Sequence, residues 1–145
     1  MVGISTAFAD WVSARLVEAS AGVLDAGLVF DERKTDLSAA IRQAVNGKLG
    51  CCVAMRAPSI SGADGSNADD TQYAVSIDVA VMHNAALSPE LDSLTLSEHL
   101  FRQFAGVQFA TLAGMPNNVR ADNLSHELNG TKWLHLFTIT HTTTI

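Results

Sequence analysis

The sequence has almost no cysteine, little positive charge and no long apolar run, and each shortage removes a class of protein. Its two cysteines, Cys51 and Cys52, are adjacent. In a strand they point to opposite faces, so they read as small core residues in a reducing cytoplasm and not as a disulfide framework. Nine basic residues face fifteen acidic ones, for a formal charge of -6 and a pI of about 5.1. The basic residues are scattered, and Arg33-Lys34 is the only adjacent pair. Binding duplex DNA needs clustered Lys and Arg to neutralise phosphates, so specific DNA recognition is not expected. No apolar run approaches the roughly 20 residues that span a bilayer. Met1–Asp10 lacks a basic region followed by an apolar stretch, so neither a secretion signal nor a membrane partner is expected. No repeat, low-complexity block or linker divides the chain, and its 145 residues are expected to form a single domain, 1–145. With 48% hydrophobic and 17% charged residues, the composition is that of a folded chain.

What is present is hydrophobic rhythm. Over Gln72–His83, Tyr73, Val75, Ile77, Val79 and Val81 alternate with Ala74, Ser76, Asp78 and Ala80. This period of two predicts a long strand with one apolar face. The preceding Pro58–Thr71 is rich in Ser, Gly, Asp and Asn and reads as a long mobile loop, with the strand Gly50–Arg56 on its other side. A polar loop on a rigid hairpin is a surface for a partner. Arg56 at its base is the candidate ion-pairing group and Ile60 the candidate apolar anchor. Asp64, Asp69 and Asp70 supply charge.

Helical spacing appears three times. Ile4, Phe8, Trp11, Val12, Leu16, Ala19 and Val23 make one stripe, predicting a helix from Ile4 to about Asp25. Leu37, Ile41, Ala44 and Val45 predict a second over Asp36–Asn46, ended by Asn46-Gly47. Between these two, Leu28-Val29-Phe30 reads as a short buried strand. Thr95-Leu96-Ser97-Glu98 has capping-box spacing and opens a third helix through Leu100, Phe104 and Val107. Phe109–Asn118 reads as irregular. Val119–Leu128 and Thr131–His141 are strands joined by Asn129-Gly130, a strong hairpin signal because such turns need positive φ. The order is therefore α-β-α-β-β-α-β-β. This is an α+β domain with one mixed, mostly antiparallel sheet and helices on one face.

Chemistry is sparse. Five histidines invite a metal or catalytic reading, but HExxH and paired-cysteine patterns are missing. His126 lies on the hairpin partner of the strand holding His135 and His141, within approach of His135. The acidic loop lacks the ligand spacing and terminal Glu of a calcium loop. Its glycines do not form GxxxxGK[ST]. Asp78, charged in mid-strand, is a solvated residue, half of an interface pair or a catalytic base. No metal, cofactor or catalytic residue is expected.

The order of elements resembles that of the tail terminator, or tail-completion, proteins of long-tailed bacteriophages. The match runs through the helix Ile4–Asp25, the strand Leu28–Phe30 with its charged exit Asp31-Glu32-Arg33-Lys34, and the helix Asp36–Asn46 leading into Gly50–Arg56. It continues through the polar loop, Tyr73-Ala74-Val75-Ser76-Ile77-Asp78-Val79, the Thr95-Leu96-Ser97-Glu98 helix and the closing Phe137-Thr138-Ile139-Thr140. The resemblance implies a structural virion protein, not an enzyme. It would form a ring, usually a homohexamer, on the tail tube, end tube polymerisation and offer the surface for head–tail joining. Implied partners are other copies of the chain, the tail tube protein and head–tail connector proteins, with DNA passing through unrecognised. Implied locations are the virion and, during assembly, the host cytoplasm. The expected contact residues are Arg56, Ile60, Asp64, Asp69, Asp70 and Asp78. Two alternatives remain open: another connector or adaptor ring, and a small enzyme with a site at a subunit boundary using Asp78, His83 or His135.

Overall fold

Two strands dominate the structure because their residue patterns match along their whole length. The computed structural model describes residues 3–47, 50–63, 72–110 and 116–144. Strand β4 (Gln72–Asn84) pairs antiparallel with β7 (Lys132–Thr144), in unbroken register from Gln72↔Thr144 to Asn84↔Lys132. Odd-numbered residues of both strands share one face. On it Val75, Ile77, Val79, Val81, Phe137 and Ile139 are buried. Strand β2 (Cys51–Met55) lies antiparallel on the far side of β4, and β1 (Val29–Asp31) lies parallel to β2. On the other side of β7 come β6 (Pro116–Asn129) and the short β5 (Gln108–Ala110). The order across the sheet is β1-β2-β4-β7-β6-β5.

The α+β class with one mixed sheet is as expected, but the helices divide between the two faces. Helix α1 (Ile4–Ser20) buries Phe8, Val12 and Leu16, and α3 (Ser93–Arg102) buries Leu96 and Leu100, all against the odd-numbered face. Helix α2 (Leu37–Val45) packs Ala44 and Val45 with Cys52, Phe30 and Met82 on the opposite face. The reason lies in β2. Cys51-Cys52-Val53-Ala54-Met55 is apolar on both sides and buried throughout, so this end of the sheet needs cover above and below. The expectation of helices on one face overlooked that run.

Other boundaries shift for local reasons. Helix α1 ends at Ser20, before the expected Asp25, and Gly22 with φ of 90° turns the chain. Helix α3 starts at Ser93, earlier than the Thr95 capping box implied, because Asp92 is its N-cap and accepts from the Thr95 amide at 3.0 Å. The predicted loop Pro58–Thr71 is part strand. Ser59–Ala63 forms β3, pairing antiparallel with the first half of β4, beyond the end of β2. That edge of β4 carries backbone groups that need partners. The expected irregular stretch Phe109–Asn118 likewise holds β5 and the start of β6. In the closing hairpin Asn129 pairs with Lys132, so the turn residues are Gly130 and Thr131, one step later than expected. Only Gly130 takes positive φ (65°), as a turn with glycine at its first central position requires.

Below Asn129 the hairpin is bulged. The register steps from Asp122↔Thr138 to Ser125↔Leu136, leaving one extra residue on β6, where Asn123 has φ of 62°. The bulge exchanges the faces of β6, so Val119 and Ala121 before it and Leu124, His126 and Leu128 after it all turn to the helix side. Gly50 (φ 63°) marks a second tight point. A Cβ there would stand 2.8 Å from Leu87 Cβ and 3.1 Å from the Asn84 carbonyl oxygen. Asn84 itself donates to the Val45 carbonyl and accepts from the Ala86 amide and the Thr131 hydroxyl, joining α2, the exit of β4 and the hairpin turn.

The two faces set up a stability contrast. Ile77→Ala removes a fully buried side chain and is expected to cost about 2–5 kcal/mol. Leu136→Ala, on the open face, is expected to cost under about 1 kcal/mol. Urea unfolding midpoints of the two variants measure the difference.

Candidate functional site

Two regions carry chemistry: the uncovered part of the sheet and a buried polar chain under the hairpin. On the first, the even-numbered residues of β4 and β7 present Ser76, Asp78, Ala80, Leu134, Leu136 and Thr138. Leu136 is 42% exposed and Asp78 is exposed. Asp78 accepts from Thr138 Oγ1 at 2.7 Å, and the Ser76 and Thr140 hydroxyls are 3.2 Å apart. The Asp78 carboxylate thus has a neutral partner and stays solvated. Arg56 continues the β2 ladder, its amide donating to the Asp78 carbonyl at 2.9 Å. Its exposed guanidinium lies 3.8 Å from Glu32, a separation worth little in water. The structure therefore brings Arg56 and Asp78 together. Ile60 is 55% exposed but stands opposite Val75, on the helix side of the sheet. Asp64, Asp69 and Asp70 lie outside the described residues. Between α2 and the hairpin, the same open side holds a groove of about 350 Å³ lined by Ile41, Val45, Met82, Trp133 and Leu134, with Arg42, Glu127 and Lys132 supplying charge.

The second region begins with His126 facing His135 across the β6–β7 ladder, as the hairpin pattern predicts, with their Nδ1 atoms 2.7 Å apart. His135 Nε2 is 2.9 Å from Ser93 Oγ, Ser93 Oγ is 3.0 Å from His83 Nδ1, and His83 Nε2 is 2.8 Å from the Ser88 carbonyl oxygen. The carbonyl can only accept, which fixes the direction of the neutral chain. His83 Nε2–H donates to Ser88, so His83 Nδ1 accepts from the Ser93 hydroxyl. Ser93 oxygen then accepts from His135 Nε2–H, and His135 Nδ1 accepts from His126 Nδ1–H. His83, Ser93 and His135 are buried, while His126 is exposed. Trp133 stacks on His135 at 5.5 Å between ring centroids. A cavity of about 350 Å³ opens on His83, Asp92, Ser93, Glu90 and Trp133.

The convergence of His83 and His135 was legible only in part. Both belong to the apolar odd-numbered face of their strands, and β4 and β7 are neighbours. Ser93, which joins them, lies before the Thr95 start that the capping-box spacing predicts for the third helix. Among the described residues, no three His, Cys, Asp or Glu side chains converge to hold a metal ion. A serine hydroxyl stands between His83 and His135. The first-turn amides of α3, at Leu94 and Thr95, turn to the Asp92 carboxylate.

Burial sets the electrostatics. It pushes His135 down to about 4, with His126 and His83 adding to the effect and Asp92 opposing it. Burial also lowers His141, which packs against the rings of Phe8 and Phe109 with neither nitrogen hydrogen-bonded to a described residue. Burial pushes the Cys51 and Cys52 thiols up to about 12, which removes thiolate chemistry at neutral pH. At Asp31 burial acts to raise the carboxyl, but hydrogen bonds from the Arg33 guanidinium and amide outweigh it and hold it below its usual range. Arg33 reaches Asp10 as well, at 2.9 Å, tying α1 to the end of β1.

A scan against protein-family models finds no match to this chain, and a search of curated proteins finds no relative.

The lowered His135 makes stability depend on pH in a defined window. The folded state keeps this imidazole neutral, while the unfolded chain protonates it near 6.5. Its contribution is therefore complete above about pH 6.5, falls as pH drops toward 4 and stays lost below. The expected loss across that window is on the order of 2–3 kcal/mol. Urea midpoints from pH 7.5 to 4.5 measure it, and His135 Cε1–H should titrate near 4 by NMR. A His135 that titrates near 6.5 contradicts its burial in the chain.

Proposed function

We propose that this chain is the subunit of a ring that caps the tail tube of a long-tailed bacteriophage, ends tube growth and offers the surface to which the head is joined. The observation that carries this reading is the half-covered sheet. A folded domain is built of layers that bury one another's apolar faces. Here α2 covers the open side over β1, β2 and Met82 of β4, with Leu134 in the groove beside it, and leaves Ala80 and Leu136 without a described partner layer. A neighbouring subunit supplies one. Ring closure needs two different contact surfaces per subunit, and the edge of β3 that pairs with no described strand, near Arg56 and Ile60, is a second one. The order of elements and the absence of a recognised catalytic motif support the same assignment.

In this reading the partners are other copies of the chain, the tail tube protein on one rim and head–tail connector proteins on the other. The location is the virion tail. Asp78 lies within the subunit contact with Arg56 beside it. The net charge of -6 suits a bore through which DNA passes without binding, because like charges repel. An adaptor ring on the head side shares the same logic and differs in binding the portal complex instead of tubes.

One observation favours a second reading, a small hydrolase: Ser93 lies between two imidazoles beside a cavity. Against it, the hydroxyl is almost fully buried and the Leu94 and Thr95 amides are engaged by Asp92, which removes them as oxyanion donors. Activated ester substrates decide the matter. Turnover that disappears in Ser93→Ala supports the hydrolase, and turnover equal to buffer removes it.

The ring reading predicts a closed oligomer, with six subunits expected, by mass photometry at high concentration or on tail tubes. Leu136→Glu places a carboxylate on the open face. It is expected to leave the subunit folded, with stability within about 0.5 kcal/mol, and to shift the population to monomer. A wild-type chain that stays monomeric in both settings defeats the reading.

A further inference from the structure

We propose that the His126–His135–Ser93–His83 chain is an acid-released latch, which in its neutral form pins the start of α3 to the outer end of the β6–β7 hairpin and lets go when the histidine pair takes up a second proton. The inference stands on the hydrogen-bond geometry and is independent of the ring assignment.

The latch joins three elements through one side chain. Ser93 is the first residue of α3, His83 sits near the end of β4, and His135 and His126 belong to the hairpin. A single hydroxyl therefore ties a helix to both long strands. The neutral chain has only one consistent proton order, because it ends on the Ser88 carbonyl. A first proton is accommodated on the exposed His126, at Nε2, since its Nδ1–H still donates to His135. A second proton on the pair must sit on His135 Nδ1, which lies 2.7 Å from the His126 Nδ1–H. Two donors then face each other, both rings are charged, and their centroids are 4.9 Å apart. That contact cannot persist in a buried setting. Protonating His83 instead turns Nδ1 into a donor, and the Ser93 hydroxyl proton then loses its acceptor in the chain.

The groups around His135 make this an acid switch. From β4 comes His83, from β6 His126 and from the start of α3 Asp92, with only the last favouring the charged form. Glu90 lines the adjoining cavity beside Asp92. Glu127, next to His126, points to the opposite face of the sheet. Helix α1 brings Arg15 only to the far end of α3, where it donates to the Gln103 carbonyl. No carboxylate lies within the hydrogen-bonded chain to neutralise a doubly protonated pair. What is released is the hairpin end bearing Trp133 and the half-exposed Leu128, so opening the latch bares an apolar tip.

Amide exchange of the whole chain, corrected for intrinsic rates, tests the latch at pH 7.5 and pH 4.5. Protection at Leu96–Leu100 and Glu127–Leu134 is expected to fall at the lower pH at least tenfold more than at Val53, Val79 and Val81, which lose only what the global stability loses. Ser93→Ala should loosen those two segments already at pH 7.5 and flatten their response. His126→Asn keeps a neutral donor toward His135 and takes no proton, so it should hold the latch closed to lower pH. It also keeps the test decisive if Ser93→Ala fails to fold. Equal corrected protection at both pH values in the wild type overturns the proposal. So does a wild-type response that survives unchanged in His126→Asn.

Discussion

Everything in this fold depends on the long pairing of β4 with β7. Thirteen consecutive residue pairs fix which side chains share a face. A one-residue slip of β4 against β7 would turn Ile77 and Val79 to the open face and Asp78 into the core. The register thereby decides where α1 and α3 can dock. It also sets the His83–Trp133 and Val81–His135 pairs, and through them the position of the polar chain. The same constraint leaves the even-numbered face half dressed. Ser76, Asp78 and Thr138 satisfy one another or water there, but Ala80, Leu134 and Leu136 do not need water at all.

The buried polar chain is the opposite kind of structure. Burying imidazoles is costly unless each nitrogen has a partner, and here every nitrogen of His83 and His135 has one. A chain of donors and acceptors is more exacting than an apolar contact, because it holds for one protonation pattern. The hairpin end is thus tied to the helix by geometry that acid can undo, whereas the centre of the sheet rests on apolar packing. His141 shows the contrast within one strand. It is buried against aromatic rings with no hydrogen-bond partner among the described residues, so it behaves as an apolar filler that resists charge.

What the sequence revealed follows from how local each signal is. The alternation from Tyr73 to Val81 and the stripe through Phe8, Val12 and Leu16 stand out because they repeat over many residues. Caps and turns are decided by single residues that compete with close neighbours. Asp92 outcompeted Thr95 as the cap of α3, and Gly130-Thr131, not Asn129-Gly130, made the turn. Strand β3 was hidden because Ser59-Ile60-Ser61-Gly62 owes its conformation to the open edge of β4 more than to its own side chains. The placement of α2 is legible in the doubly apolar Cys51–Met55. Of the expected contact residues, Arg56 and Asp78 are neighbours and Ile60 is on the other face. Ser93 needed three-dimensional information, since its partners lie 10 and 42 residues away along the chain.

The central claim is that a second subunit completes the unfinished sheet face. An electron microscopy reconstruction of the assembled protein, alone or on tail tubes, addresses it directly. The account predicts a closed ring in which Ala80 and Leu136 of each subunit are buried against its neighbour and the two contact surfaces differ. A ring with that face open to solvent, or particles that never exceed one subunit, would contradict it.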